Sequence, residues 1–373
     1  MDGRCAYLNN AMTSFPKRVQ AVDAFLAEVH ALPVAARHEA GAAVQSTKEH
    51  IAAHLAVDPH EVFLVSDATL ALNIAVHGLV GPGTTVAVDN RAHNAVLRAI
   101  TGRGARLLEV PVYDRDERVD GGAVAALLAD APPAVCLTHV SNVTGTVYDV
   151  GPLVADLKAA GSVVIIDASQ AAGVVPLAPV AGADVVVFPA HKHLHGLPGA
   201  AALVTRRPLA PLVFGGTGTR SASTVTDEPG RLFTEVGTGN PMAAAALGAV
   251  VTDLDQRLVV RDQKLSTLVA RLRLGLDEIP GVRSLPRGPS PFESGIVSVA
   301  PQHGDPELTW APRLARAGVV VRGGLHCSPS VHRQLDLPLG SVRLSLSGYT
   351  TEDEVDLALE RIAELAGALD AIA

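Results

Sequence analysis

Three cysteines among 373 residues, Cys5, Cys136 and Cys327, share no Cys-x-x-Cys spacing. That excludes a disulfide framework and a cysteine-rich zinc site. Long apolar runs are also missing: the stretch from Ala171 to Ala190 is broken by Gly173, Pro176, Pro179, Gly182 and Asp184, so no segment offers the roughly 20 apolar residues of a membrane span. Asp2, Arg4, Asn9 and Asn10 stand where a secretory signal would need apolar residues. Nor is there a basic excess. The net charge is −8 and the isoelectric point is near 5.9, whereas a nucleic-acid backbone requires clustered Lys and Arg. His193, His195, His326 and His332 match no ordinary zinc spacing. The expectation is a cytoplasmic protein with no membrane, nucleic-acid or metal partner.

What the chain has is apolar mass, 48% hydrophobic against 18% charged, which suits one large domain plus a smaller one. Between residues 60 and 205, short Val/Ile/Leu runs alternate with Ala-rich helical stretches, the pattern of a parallel sheet. The runs predict seven strands: Val62–Val65, Thr85–Asp89, Ala105–Val110, Ala134–His139, Ser162–Asp167, Asp184–Phe188 and Ala200–Val204. Ligands of such sheets bind outside the carboxyl ends of the strands, so loops starting near Ser66, Asn90, Val140, Asp167 and Pro189 are expected to converge. From Pro241 a long helix is expected to run toward Asp277. Further strands are predicted at Gly295–Ala300, Gly318–Arg322 and Ser341–Ser347, the last with a polar face carrying Arg343. Thr351 and Glu354 form a capping-box signature for a final amphipathic helix.

The chemistry is concentrated at two strand ends. Val163–Ile166 runs into Asp167, with Gln170 after it, and Asp184–Phe188 leads through Pro189, Ala190 and His191 to Lys192. A lysine delivered by a core strand is placed to form a Schiff base, provided desolvation leaves part of it unprotonated. Taken singly, Asp167 is also a common helix cap, and a lone Cys327 is more often a small core hydrophobe.

Nine segments occur in the order found in the class V branch of the aminotransferase fold, the cysteine desulfurase and selenocysteine lyase family, which the chain resembles over nearly its whole length. They are Tyr7 to Ala11, Asp67-Ala68-Thr69, Ala92 to Arg98, His139 to Thr146, Asp167-Ala168-Ser169-Gln170, His191-Lys192, Gly215 to Gly218, Glu235 to Thr238, and Arg322 to Cys327. The resemblance implies an α/β, type I pyridoxal-phosphate-dependent transferase fold. Residues 11–250 would form the large domain with its seven-stranded, mainly parallel sheet, and residues 1–10 with 251–373 the small α+β domain. It implies pyridoxal 5'-phosphate held by Lys192, with Asp167 at the ring nitrogen, His93 stacked on the ring, Gln170 and Asn142 near the ring oxygen, and Ala68, Thr69 and His191 at the phosphate. Gly216 and Thr217 would reach the phosphate of a second subunit, which implies a homodimer. Arg343 would hold the carboxylate of a small amino-acid substrate, aided by Asn142. Lys192, His93 and Cys327 would be the catalytic residues, Cys327 accepting sulfur or selenium as alanine is released and passing it to an acceptor protein. The alternatives are β-elimination from an S-substituted cysteine or transamination, with Cys327 a bystander, or a fold retained only for binding.

Several positions depart from the family pattern. Pro189 replaces a hydroxyl residue three before the lysine, Leu70 replaces a Glu, Asn9 an Asp, and His193 and His195 are extra histidines. A Gly- and Arg-rich segment of relatives is shortened to Ala31–His38.

Overall fold

The structure is a computed structural model that describes residues 4–31, 38–216, 222, 224, 236, 237, 239–290 and 292–372. Thr217, and residues 32–37 of the shortened segment, lie outside the described residues.

The chain enters through a two-residue strand, β1 (Ala6–Tyr7), and two helices, α1 (Val19–Ala31) and α2 (His38–Leu55). Strands and helices then alternate: β2 (Val62–Val65), α3 (Ala68–Leu79), β3 (Thr85–Asp89), α4 (Asn94–Gly102), β4 (Arg106–Val110), α5 (Gly121–Asp130), β5 (Ala134–Thr138), α6 (Gly151–Ala159), β6 (Val163–Asp167), β7 (Val185–Pro189) and β8 (Ala201–Thr205). Every predicted strand of this set is present, with ends moved by at most one residue. The seven form one sheet in the order β2-β8-β7-β6-β5-β3-β4, in which only β8 runs against its neighbours. All residues of β5, β7 and β8 are buried, because apolar clusters pack on both sheet faces. That double burial explains why these strands read as continuous apolar runs rather than as alternation.

The expected helix from Pro241 is two helices, α7 (Pro241–Val251) and α8 (Leu254–Asp277). The break has a local cause. Val250, Val251 and Thr252 are a β-branched run, poor in helix propensity, and the Thr252 hydroxyl bonds back to the Gly248 carbonyl at 2.9 Å. Asp253 then turns toward Arg18, which grips both carboxylate oxygens at 3.0 Å.

The remaining elements are β9 (Val282–Ser284), β10 (Ile296–Pro301), α9 (Ala311–Arg316), β11 (Val319–Val320), β12 (Arg322–Gly324), α10 (Pro329–Gln334), β13 (Ser341–Ser345) and α11 (Glu352–Asp370). The strand expected at Gly318–Arg322 is divided between sheets. β11 pairs with β1, whereas β12 joins a four-stranded sheet in the order β12-β13-β10-β9. Gly323 fixes the second placement, since a Cβ there would lie 1.8 Å from the Pro306 carbonyl oxygen. The expected polar face of β13 is not a solvent face, for all five residues are buried. Ser341 and Ser345 find partners in the histidines of the 326–332 segment and in the N-terminal strand region. α11 carries the complete capping box: Thr351 Oγ1 accepts from Glu354 N at 3.2 Å and Thr351 N donates to the Glu354 carboxylate at 2.9 Å, an arrangement that contributes about 1 kcal/mol.

Candidate active site

The carboxyl ends of five sheet strands meet at a cavity open to solvent. It is lined from β2 by Ala68 and Thr69, from β3 by Arg91 and His93, from β5 by Thr138, Val140 and Asn142, from β6 by Asp167 and Gln170, and from β7 by Lys192. These are the loops whose convergence the sequence pattern predicts.

Each side is built by local chemistry. Asp67 caps α3, its carboxylate accepting from Leu70 N at 2.9 Å, and this leaves the backbone N–H groups of Ala68 and Thr69 without partners among the described residues, at the positive end of a twelve-residue helix. His93 caps α4 through Nδ1, which accepts from Ala95 N at 3.0 Å. That bond assigns the ring proton to Nε2. Burial, and then the Lys192 charge, push its proton affinity down to about 4, so the ring is neutral near pH 7.

Asp167 is buried, and its Oδ1 accepts from Ser169 N at 2.9 Å. The capping-type contact is therefore present, yet it occupies one oxygen, and Oδ2 has no partner among the described residues. Lys192 is half-buried and its Nζ donates to nothing described. Its pKa is lowered to about 8, first by burial and then by the Arg343 and Arg322 charges, against the opposing pull of Asp167 and Cys327. Gln170 and Asn142 line the cavity, but much of their polar capacity is committed. Gln170 binds Ala11 O and His193. Asn142 Nδ2 donates to His326 O at 2.8 Å and its Oδ1 accepts from Ser328 Oγ at 2.7 Å. Those two bonds clamp the segment on either side of Cys327 to the cavity wall, and Asn94 N holds the Cys327 carbonyl at 2.7 Å. His326 and Cys327 both adopt left-handed backbone, φ 50° and 60°, a strained pair that these tethers hold.

Arg322 Nη2 lies 3.6 Å from Cys327 Sγ and sets a cation against the sulfur. His326 does not take part in this. Its Nε2 faces Ser341 O and Oγ at 3.1 Å, and burial keeps its proton affinity far below the usual value, so it brings no charge. Arg343 is 1% exposed; Nη1 donates to Asn142 O at 2.7 Å, while Nε and Nη2 are buried without partners among the described residues. Burial and the Arg322 charge lower its pKa to about 9. A desolvated guanidinium with two unused donors has the chemistry to bind a carboxylate. Arg343→Lys is expected to raise KM for an amino-acid substrate by about 10- to 100-fold, the loss of one charge-assisted pair. Steady-state kinetics should show kcat changed much less than KM; equal losses in both would contradict a carboxylate-binding role.

His191 is half-buried and kept neutral by burial and by Lys192 and Lys17. Its carbonyl gathers Ser14 N, Ser14 Oγ and Lys17 Nζ at 2.8 to 3.0 Å. Gly216 is exposed and is not part of the cavity wall.

Three contributors escaped the sequence patterns. Asp89, buried at the end of β3, accepts from Thr138 Oγ1 at 3.1 Å and Arg91 N at 2.8 Å, and burial raises its pKa to about 6. Arg91 is fully buried, paired with Glu117 at 2.9 Å and bonded to Gln334 Oε1 of α10 at 2.6 Å. Removing either partner of such a pair costs about 3–5 kcal/mol. Lys17 is the third. Only the polar residues Asp89-Asn90-Arg91 immediately after an apolar strand could have pointed to the first two.

The unused groups, Lys192 Nζ, Asp167 Oδ2 and the amides of Ala68 and Thr69, are in kind an amine for an aldehyde, an anion for a protonated ring nitrogen and donors for a phosphate. They fit the cofactor that the resemblance implies. The aminotransferase class-V pattern matches residues 6–358. A probable cysteine desulfurase 2 of Mycobacterium leprae is 32% identical, over 94% of this chain and 89% of the relative. A probable cysteine desulfurase of Methanothermobacter thermautotrophicus is 29% identical, over 87% and 84%. The apo structure of a cysteine desulfurase from Thermococcus onnurineus superposes with a TM-score of 0.84 at 24% identity, covering 98% of this chain and 95% of that one.

Proposed function

The chain belongs to the aminotransferase class-V family, and from that premise we propose that it is a pyridoxal-phosphate-dependent cysteine desulfurase, moving sulfur from cysteine onto Cys327 and releasing alanine. The observation that carries this reading is the clamp of the Cys327 segment onto Asn142, a residue of the cavity that also holds Lys192 and Asp167.

When bound, pyridoxal phosphate supplies an aldehyde for an amine and a ring that accepts the electron pair released at the substrate carbon. The remaining work falls to side chains. Arg343 Nε and Nη2 take the substrate carboxylate and orient the amino acid. Asp167 Oδ2 would hold a proton at the ring nitrogen by its negative charge. His93, neutral and fixed by its cap bond, would lie against the ring. Lys192 Nζ removes the α-proton and returns a proton to carbon, which its lowered pKa permits near neutral pH. Cys327 Sγ, facing Arg322, attacks the substrate sulfur: the S–S bond forms as the carbon–sulfur bond breaks, and the electron pair leaves with carbon. The product is a persulfide on Cys327, to be collected by a thiol acceptor.

Two further features belong to this reading. Val19, Val22, Leu26 and Val29 form an exposed apolar stripe along α1, preceded by exposed Met12 and Phe15, a surface suited to a second copy of the chain. No helix among the described residues is long and apolar enough to cross a membrane. We place the enzyme in the cytoplasm, where three unpaired cysteines persist as thiols. We draw the boundary between the large and small domains at residues 250 and 251, the last two of α7, and the break between α7 and α8 just after them supports that reading.

Incubation of the holoenzyme with cysteine and dithiothreitol should yield alanine and sulfide in equal amounts. Pyruvate in place of alanine would overturn desulfuration in favour of elimination.

A further inference from the structure

His193 is one of the two histidines that depart from the family pattern, and the fold gives it a definite partner. It follows Lys192 directly, is 2% exposed, and sets Nε2 2.8 Å from Gln170 Oε1. Gln170 Nε2 in turn donates to the Ala11 carbonyl at 3.0 Å. A carboxamide oxygen can only accept, so Nε2 of the imidazole carries the proton. A backbone carbonyl can only accept as well, so the Gln170 nitrogen must face Ala11. Both contacts select the same orientation of the amide, and a flip would break both. The arrangement is held from behind by Gly173, where a Cβ would lie 2.5 Å from the His193 carbonyl oxygen. His193 is neutral: burial comes first, followed by the Arg261, His195, Lys192 and Arg343 charges. Its Nδ1 is buried without a partner among the described residues.

Gln170 lines the cavity beside Asp167 and Lys192, and the second N–H of its Nε2 has no partner among the described residues. We propose that His193 is a positioning residue: it locks the Gln170 carboxamide so that an N–H donor, and not the carbonyl oxygen, is offered to the ring oxygen of bound pyridoxal phosphate. This rests on the reading of the cavity as a cofactor site. Without His193 the only anchor among the described residues is Ala11 O, and the amide can present either end.

The consequence is spectroscopic. An N–H directed at the ring oxygen stabilises its negative charge most when the neighbouring nitrogen no longer shares a proton with it, so the donor lowers the pH midpoint at which the bound cofactor changes its visible absorption. In the holoenzyme, His193→Leu is expected to raise that midpoint by roughly half a unit to one unit, and to weaken pyridoxal-phosphate binding to the apoprotein about threefold to tenfold. His193→Gln keeps an N–H donor near the Nε2 position and should restore most of both. Because the effect travels through Gln170, adding His193→Leu to Gln170→Ala should change neither quantity further. An unmoved midpoint and affinity in a His193→Leu protein that unfolds at the wild-type temperature would overturn the role. So would a glutamine variant as impaired as the leucine variant, or an undiminished effect in the Gln170→Ala background. The ¹⁵N spectrum of histidine-labelled, unsubstituted protein gives a check free of any folding defect, and a charged or Nδ1-protonated His193 at pH 7 would also overturn it. Wild-type uptake of pyridoxal phosphate is measured first, so a protein that binds none refutes the cofactor reading itself and is told apart from a failure of His193.

Discussion

Replacing Lys192 by alanine should lower alanine formation from cysteine by at least about 10³-fold, because one substitution removes both the covalent hold on the cofactor and the group that moves the proton. Borohydride reduction followed by denaturation separates the two losses. Wild-type protein should retain the cofactor through these steps and Lys192→Ala should lose it. Native Lys192→Ala should still take up pyridoxal phosphate, more weakly, since Asp167, His93 and the free amides of α3 remain in place.

The competing candidate is Lys17, whose pKa burial also lowers to about 8. Proton affinity does not separate the two lysines, but geometry does. Lys17 Nζ donates to Thr13 Oγ1, Ser14 Oγ and His191 O at 3.0 to 3.1 Å, so all three of its protons are spent, whereas Lys192 lines the cavity and its Nζ has no partner among the described residues. Lys17→Ala is therefore expected to leave the reduced adduct intact, and loss of the adduct in that variant instead would reassign the amine. The same lowered pKa gives a pH signature. Only the neutral amine attacks an aldehyde, and at pH 7 a group of pKa about 8 is about one-tenth neutral. Cofactor capture by the wild-type apoprotein should accelerate as pH rises through about 8 and level off above it.

The strands and the residues at their ends were legible because their cause is local. A strand covered on both faces must be apolar along its length, and the polar residues that close such a run mark where the sheet stops: Asp167 is the last residue of β6, and Lys192 lies three residues beyond the end of β7. What the sequence hid depends on distant partners. Arg91 and Glu117 are separated by 26 positions and reach Gln334, a further 217 along the chain; nothing in either neighbourhood announces the pair. β13 alternates like a half-exposed strand, and only tertiary packing turns its polar face into a buried one, where Arg343 holds unused donors instead of being a surface charge. His326 stands beside Cys327 in sequence, yet the left-handed backbone at both residues accompanies an imidazole turned toward Ser341 and a sulfur facing Arg322. The order of motifs identified the chemistry, while the orientation of adjacent side chains could come only from the fold.

Cys327→Ser should lower alanine and sulfide formation from cysteine by on the order of 10²- to 10⁴-fold, the range for losing one positioned reacting group, while leaving cofactor absorption and thermal unfolding near wild type. The hydroxyl replaces the thiol with little change in volume, and the tethers of the segment are made by its backbone and by Asn142 and Ser328, so Arg322, Asn94 and Asn142 keep their positions. What is lost is a nucleophile that can form a bond to sulfur: an alcohol lacks the thiolate that carries out this attack. Incubation with ³⁵S-cysteine followed by non-reducing electrophoresis should label the wild type and not the variant, and dithiothreitol should remove the label. Turnover unchanged in Cys327→Ser would move the acceptor elsewhere, and the other two thiols are not equivalent candidates. Cys136 is sealed inside β5, where burial, reinforced by Asp89 and Asp167, pushes its thiol well above its usual range. Cys5 is exposed next to β1, so a double Cys5→Ser, Cys327→Ser protein that still released sulfide with alanine would leave no accessible thiol to carry it. That outcome would overturn persulfide chemistry on this chain altogether.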